Sequence, residues 1–250
     1  MPGFDGERLP ALGDRLASIS ADVRPEDLFP SLVPAASRLA RSDPYAFVLA
    51  TCLDRGTRAD IIWTIPYDLK SIMGHLDPGR IAQLSIVELA GVFRQLPRKP
   101  RYMNAAPRTV RDITRIVVDD FRGDASAIWR GRSADEVMVT FRRVYGVGPG
   151  IASMAVIIIE KAFGPQFSSE DHRFMDIKPD VQTKRVLYRL GVAPRVEEQA
   201  AIHAARVIRP EFPGEIDSAL WRIGRNWCFA VAPLCSTCPI SDVCLKVGVT

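Results

Sequence analysis

Four of the five cysteines fall in the last twenty-three residues, at Cys228, Cys235, Cys238 and Cys244, spaced C-x6-C-x2-C-x5-C. No other feature constrains the fold as strongly. Thiolates bind soft or borderline metals, and four of them inside 17 residues can close around one centre. A disulfide reading must explain why the rest of a 250-residue chain offers only Cys52. A zinc site usually presents two close C-x2-C pairs, and one is present here. An iron–sulfur cluster is the first reading, zinc the second, and disulfides or free thiols the third.

A glycine-rich turn lies about 80 residues upstream, in Val144-Tyr145-Gly146-Val147-Gly148-Pro149-Gly150-Ile151-Ala152. The segment before it, Ala134 to Val144, opens with the capping box Ser133 and Glu136. The segment after it, Ile151 to Phe163, reads as a buried helix. Such a turn aims backbone N–H groups and the positive end of the helix dipole at an anion. Glycine permits positive φ and close approach of a phosphate. Taken alone, a turn of this kind can also serve only to reverse the chain.

Together these features resemble the helix-hairpin-helix DNA glycosylases of the endonuclease III type. That family's hairpin reads h-x-G-h-G-x-K-x-A, which Gly146-Val147-Gly148 and Ala152 fit. Its aspartate segment resembles V-D-T-H-I-F-R-V-x-x-R-L-G. Here Pro179-Asp180-Val181 and Arg185-Val186 through Arg189-Leu190-Gly191 fit that segment, and all four cysteines match the family's cluster spacing. The resemblance runs from about Asp43 to the C-terminus. It implies an all-α, two-lobed fold with a DNA cleft. Residues 45–165 would form a six-helix lobe ending in the hairpin, and residues 1–44 with 166–250 an iron–sulfur lobe. It implies base-excision repair on double-stranded DNA containing a lesion, by a monomer. A [4Fe–4S] cluster on Cys228, Cys235, Cys238 and Cys244 would be the cofactor. Gly146, Val147, Gly148 and Gly150 would contact DNA.

The resemblance makes Asp180 the catalytic residue. Cleaving an N-glycosidic bond builds positive charge on the sugar, and an ionised carboxylate stabilises it and orients water. The plainer account is a helix N-cap. Asp176 is the fallback, because the segment after Gly164 is longer than the family pattern. Where bifunctional relatives carry a lysine nucleophile, this chain has Gly150. A monofunctional glycosylase using water is therefore expected, acting on an alkylated purine or a deaminated pyrimidine. Alternatives are a glycosylase/lyase with a displaced lysine (Lys178 or Lys184) or a catalytically inactive DNA-binding homologue. Lys184 is otherwise expected at a phosphate.

The loop Leu53 to Arg58 corresponds to the family segment that carries a glutamine wedge. Gly56 stands at the glutamine position, so Arg55 or Arg58 is expected to fill the gap left by a flipped base. Asp54 is either a pocket residue or a helix-end carboxylate. Arg98-Lys99-Pro100-Arg101 forms a basic turn, followed by Arg108, Arg111 and Arg115, and Arg98, Lys99 and Arg101 are candidate phosphate contacts. The loop Phe229 to Leu234 between the first two cysteines holds no basic residue, so the cluster is expected to act mainly as a structural clip.

Composition is that of an ordinary globular chain, 47% hydrophobic and 25% charged, with a net charge of +4. No apolar run approaches a membrane span. Met1 to Glu7 shows no basic-then-apolar leader, from which a cytoplasmic, nucleoid-associated location is expected. The apolar spacing predicts helices at Pro44–Leu53, at Arg58–Met73 with a break at Pro66, and at Ser85–Gln95. A further helix carries Ala106, Val110, Ile113, Val117 and Phe121 on one face. Others are expected near 134–144, 151–163, 181–190, 195–207 and 215–227.

Overall fold

The computed structural model describes residues 8–249. Met1 to Glu7, on which the expected location rests, lies outside the described residues. The chain folds as helices α1 (Arg8–Ala21), α2 (Pro34–Ser42), α3 (Pro44–Leu53), α4 (Ala59–Ile62), α5 (Ile65–Met73), α6 (Pro78–Ala82) and α7 (Ile86–Arg94). It continues through α8 (Ala106–Arg115), α9 (Ala134–Arg142), α10 (Pro149–Phe163), α11 (Ser169–His172), α12 (Val181–Leu190), α13 (Glu198–Ile208) and α14 (Asp217–Asn226). No strand occurs among the described residues, so the chain is all-α. Among those residues no helix is long and apolar enough to cross a membrane.

The chain divides into two compact units, residues 25–166 and residues 1–24 with 167–250. The expected N-terminal boundary near residue 44 therefore lies earlier, at Arg24. Phe29 explains why, because its ring packs edge-on against Trp63 at 5.5 Å and Phe163 at 6.2 Å. That contact holds residues 25–44 to the unit containing α3. The same unit carries nine α-helices rather than six, because short turns such as α4 and α6 interrupt the longer ones.

The core of this hairpin unit is built on two helices that are apolar all round and hence buried all round. Every residue of α3 from Tyr45 to Leu53 is buried, as is every residue of α10 from Ile151 to Ile159. Phe47 sits at the centre of an aromatic group, with ring centroids 4.8 Å from Phe163, 5.8 Å from Trp129 and 6.0 Å from Trp63. Burial pushes the Cys52 thiol on α3 up, which fits a core residue rather than a reactive one. Asp43 caps α3 by accepting the N–H groups of Tyr45 and Ala46 at 2.9 and 3.2 Å.

Two helical expectations shift. The break near Pro66 falls earlier, at Trp63 and Thr64. Pro66 then lies in the first turn of α5, where its missing N–H removes no helical bond. The helix expected through Phe121 keeps α-geometry to Arg115 and widens into a π-turn over Ile116–Asp120, leaving Phe121 half-buried.

The second, cysteine unit packs α1, α12, α13 and α14 around Leu12, Leu16, Leu187, Leu190, Ala204, Ala205, Leu220 and Ile223. Alanines on α13 let its backbone approach its neighbours closely. Cys228, Cys238 and Cys244 pack at the edge of this core.

Candidate functional site

In the hairpin unit, α9 begins with the expected capping box. The Ser133 N–H donates to Glu136 Oε2 at 2.9 Å, and the Glu136 N–H to Ser133 Oγ at 3.3 Å. The turn after α9 closes when the Val147 N–H donates to the Val144 carbonyl at 3.1 Å. The Val147 side chain is buried and its N–H is used, so of the four expected contact residues it serves as a core peg. Gly148 is the N-cap of α10, Pro149 enters the first turn, and no side chain caps this end. The N–H groups of Gly150 and Ile151 are thereby left without a capping side chain at the positive end of a 15-residue helix. Gly150, at the second position of α10, brings no side chain into that space.

The two hairpin glycines have different physical reasons. Gly146 has φ +82°, and a Cβ there would lie 1.7 Å from Arg55 Nη1. Gly148 has φ −94°, an ordinary value, with nothing within 4 Å of a Cβ. The fold needs the first glycine and leaves the second to be explained by what approaches from outside.

Arg55 is not extended as a free wedge. Its guanidinium lies on Gly146 and donates to the Tyr145 carbonyl at 3.2 Å and to Thr109 Oγ1 at 2.8 Å. It is half-buried, and desolvation lowers its pKa from the usual arginine range. Arg58 is exposed but engaged bidentately with the buried Asp60 at 2.6 and 3.2 Å. Asp54 is buried and accepts from Trp63 Nε1 at 3.3 Å, so it faces the core. Arg98, Lys99 and Arg101 are exposed. The Lys99 ammonium folds onto the Leu96 carbonyl at 3.1 Å, and the Arg101 N–H donates to Thr57 Oγ1 at 2.8 Å, tying the basic turn to the loop after α3.

In the cysteine unit, Asp180 is the N-cap of α12. Its Oδ1 accepts the N–H groups of Gln182 at 2.7 Å and Thr183 at 3.0 Å, and the cap leaves Oδ2 unused. The segment before it is fixed on both sides. The Lys178 N–H donates to Asp217 Oδ1 at 2.7 Å, and Thr183 Oγ1 donates to the Lys178 carbonyl at 2.8 Å. Asp180 is half-buried, and Lys184, one turn on, is also half-buried. Asp176 is committed elsewhere, accepting both arms of the Arg206 guanidinium at 2.8 and 2.7 Å.

The four C-terminal cysteines form no disulfide and line one cavity with Arg189, Trp227 and Ile240. Burial, reinforced by the neighbouring sulfurs, pushes the Cys238 and Cys244 thiols up. Four thiolates here would therefore need a cationic centre among them. Donors to sulfur are already in place. Arg189 Nη1 lies 3.4 Å from Cys228 Sγ, and the Lys246 N–H lies 3.4 Å from Cys244 Sγ. Arg189 also donates to the Phe229 and Ala230 carbonyls at 2.5 and 3.0 Å, and Arg185 Nε to the Cys228 carbonyl at 2.6 Å. Among the described residues no three His, Cys, Asp or Glu side chains gather closely enough to hold a single metal ion. The sulfurs surround a space instead. The donor set fits a polynuclear iron–sulfur group by its chemistry, four soft ligands with N–H donors to sulfur.

Sequence reasoning missed Tyr102, and it placed Arg189 in the aspartate segment without giving it a role at the cysteines. An aromatic directly after the basic turn and an arginine one helical turn after Arg185 were the available signals.

No described protein family matches the chain, and no curated protein matches it. Solved structures do. A trapped endonuclease III–DNA covalent intermediate, an estranged-adenine complex, is 18% identical with a TM-score of 0.65, covering 98% of this chain and 97% of that one. A non-covalent endonuclease III–DNA complex is 19% identical at 0.65, with 98% and 97% covered. A thermostable thymine-DNA glycosylase is 16% identical at 0.61, covering 95% of each chain. The chain has the fold of these proteins over nearly its whole length.

The unequal glycines can be tested by stability. Gly146→Ala should lose about 2 kcal/mol or more in chemical denaturation, since it meets both the left-handed φ and Arg55. Gly148→Asp should hold or gain about a few tenths of a kcal/mol, because aspartate is only slightly better than glycine at an N-cap. Equal losses in the two variants would contradict this account of the turn.

Proposed function

We propose that this chain is a DNA glycosylase that flips a damaged base from duplex DNA and hydrolyses its N-glycosidic bond with water. The observation that carries the reading is Asp180. Its cap uses one carboxylate oxygen and leaves the other for chemistry, while Asp176 is tied to Arg206. The likeness of fold to endonuclease III and thymine-DNA glycosylase supports the same class of reaction.

In this mechanism the N–H groups at Gly148 and Gly150 hold a DNA phosphate. Arg98, Lys99, Arg101 and Lys184 add further backbone contacts. As the glycosidic bond breaks, the Asp180 carboxylate stabilises the oxocarbenium character of the sugar. It also accepts a proton from the attacking water. The capping bonds hold that carboxylate in one orientation, which lowers the reorganisation needed at the transition state. Gly150 supplies no amine, so no covalent imine forms at the hairpin position. The substrates favoured by such a site are an alkylated purine or a deaminated pyrimidine in double-stranded DNA, bound by a monomer.

Cys228, Cys235, Cys238 and Cys244 would hold a [4Fe–4S] cluster, whose ligation would clip residues 228–244 together beside Arg189 of α12. Arg189 would then offset part of the negative charge on the sulfurs, and the Lys246 N–H would donate a hydrogen bond to Cys244.

Two variants separate binding from chemistry. On defined duplexes carrying one lesion each, Asp180→Asn should bind as tightly as wild type or tighter. Its excision, read as alkali-labile sites, should fall by at least about a thousandfold. Gly148→Asp, folded by the criterion above, should lose binding to every duplex alike, because its carboxylate stands where the phosphate should. Borohydride should trap no covalent adduct. An Asp180→Asn chain excising at wild-type rate would move the catalytic carboxylate elsewhere, and a trapped adduct would make the enzyme a lyase.

Anaerobically purified protein should contain about four irons and four sulfides per chain, with broad absorption near about 400 nm. Cys238→Ala should lose iron and melt at a lower temperature. Stoichiometric zinc without iron would overturn the cluster.

A further inference from the structure

Tyr102 and Tyr145 are both exposed, 44% and 42%, although each has a backbone held by several bonds. The Tyr102 carbonyl accepts the N–H groups of Ala105 and Ala106 at 3.0 and 2.9 Å, at the start of α8. Its ring lies against Gly56, where a Cβ would come within 2.5 Å of Cε2. The Tyr145 N–H donates to Asp112 Oδ2 at 3.2 Å, and its carbonyl accepts from Arg55 at 3.2 Å and from Thr109 Oγ1 at 2.9 Å.

Guanidinium groups link these rings without a break. Arg101 Cζ lies 5.8 Å from the Tyr102 centroid, and Arg55 Cζ lies 6.0 Å from Tyr102 and 5.9 Å from Tyr145. Arg108 Cζ lies 4.0 Å from the Tyr145 centroid. The five side chains alternate cation and aromatic ring beside the anion-binding turn. Rings flanked by arginines lose little freedom when a further flat group stacks on them, and the arginines match a polyanionic backbone. In paired duplex DNA the faces of the bases are already covered by neighbouring bases. Unpaired nucleotides expose them.

We propose that Arg101, Tyr102, Arg55, Tyr145 and Arg108 form a stacking surface for unpaired nucleobases. The preferred DNA is then one already opened over several adjacent nucleotides. This rests on the proposed function for its DNA partner and extends it, since a flipped base involves one nucleotide and this surface carries two rings. It also gives Gly56 a reason. The missing side chain leaves room for the Tyr102 ring.

The test compares three labelled DNAs of one sequence by fluorescence anisotropy: a full duplex, a duplex with a three-nucleotide bubble, and a single strand. Wild type should bind the bubble at least tenfold more tightly than the duplex. In the double variant Tyr102→Ala, Tyr145→Ala that ratio should fall to within twofold, while Tyr102→Phe, Tyr145→Phe should keep it. Loss of structure alone would weaken both affinities and leave the ratio unchanged, and a single Tyr102→Ser variant should give an intermediate ratio. Equal affinity of wild type for bubble and duplex would overturn the proposal, as would a preserved ratio in the alanine variant. Tighter binding of an RNA strand of the same sequence than of the bubble would overturn the assignment to DNA. A tenfold bubble preference without base release from any lesion would sink the glycosylase reading and leave this one standing. Base release without bubble preference would do the reverse.

Discussion

The candidate interface of the hairpin unit depends on the contact between Arg55 and Gly146. The arginine occupies the volume that any side chain at residue 146 would need, and its donors reach Tyr145 and Thr109 across 90 and 54 residues of sequence. Through it the loop after α3, the start of α8 and the turn before α10 become one rigid patch. A lysine at residue 55 has no planar fork with which to bridge the Tyr145 carbonyl and Thr109 Oγ1 at once. The positive φ of Gly146 turns the chain two residues before the N-cap of α10.

The cysteine unit is organised by hydrogen bonds around α12. Asp180 fixes its N-terminus, and Arg185 and Arg189 reach from its side to the Cys228 carbonyl, the Cys228 sulfur and the following loop. Capping and catalysis are compatible at Asp180, because the cap uses one oxygen and holds the other still. Through Arg189 the apolar C-x6-C loop, with Val231 84% exposed, is anchored at the Phe229 and Ala230 carbonyls.

Much of this was legible in the sequence where the signal is local. The capping boxes at Ser85 and Ser133 mark the starts of α7 and α9, and α3 and α10 are apolar enough to be read as buried helices. The cysteine spacing needs only counting. Features that depend on distant partners were not legible. Arg55 read as a free side chain because its acceptors lie far along the chain. The boundary near residue 44 missed the packing of Phe29 on Trp63 and Phe163. Val147 read as a contact because nothing in its neighbours says that it turns inward. The exposed faces of Tyr102 and Tyr145 emerge only once the arginines around them have found their places.

The most direct test of the central claim is to identify what the protein releases from DNA. Alkylated DNA and deaminated DNA would each be incubated with the wild-type chain, and the small-molecule fraction read by mass spectrometry alongside a count of abasic sites. Hydrolysis of an N-glycosidic bond predicts an intact free base from one of these DNAs, an equal number of abasic sites, and strands that stay whole until alkali is added. Cleaved phosphodiesters without any free base would contradict it, as would damaged DNA recovered unchanged.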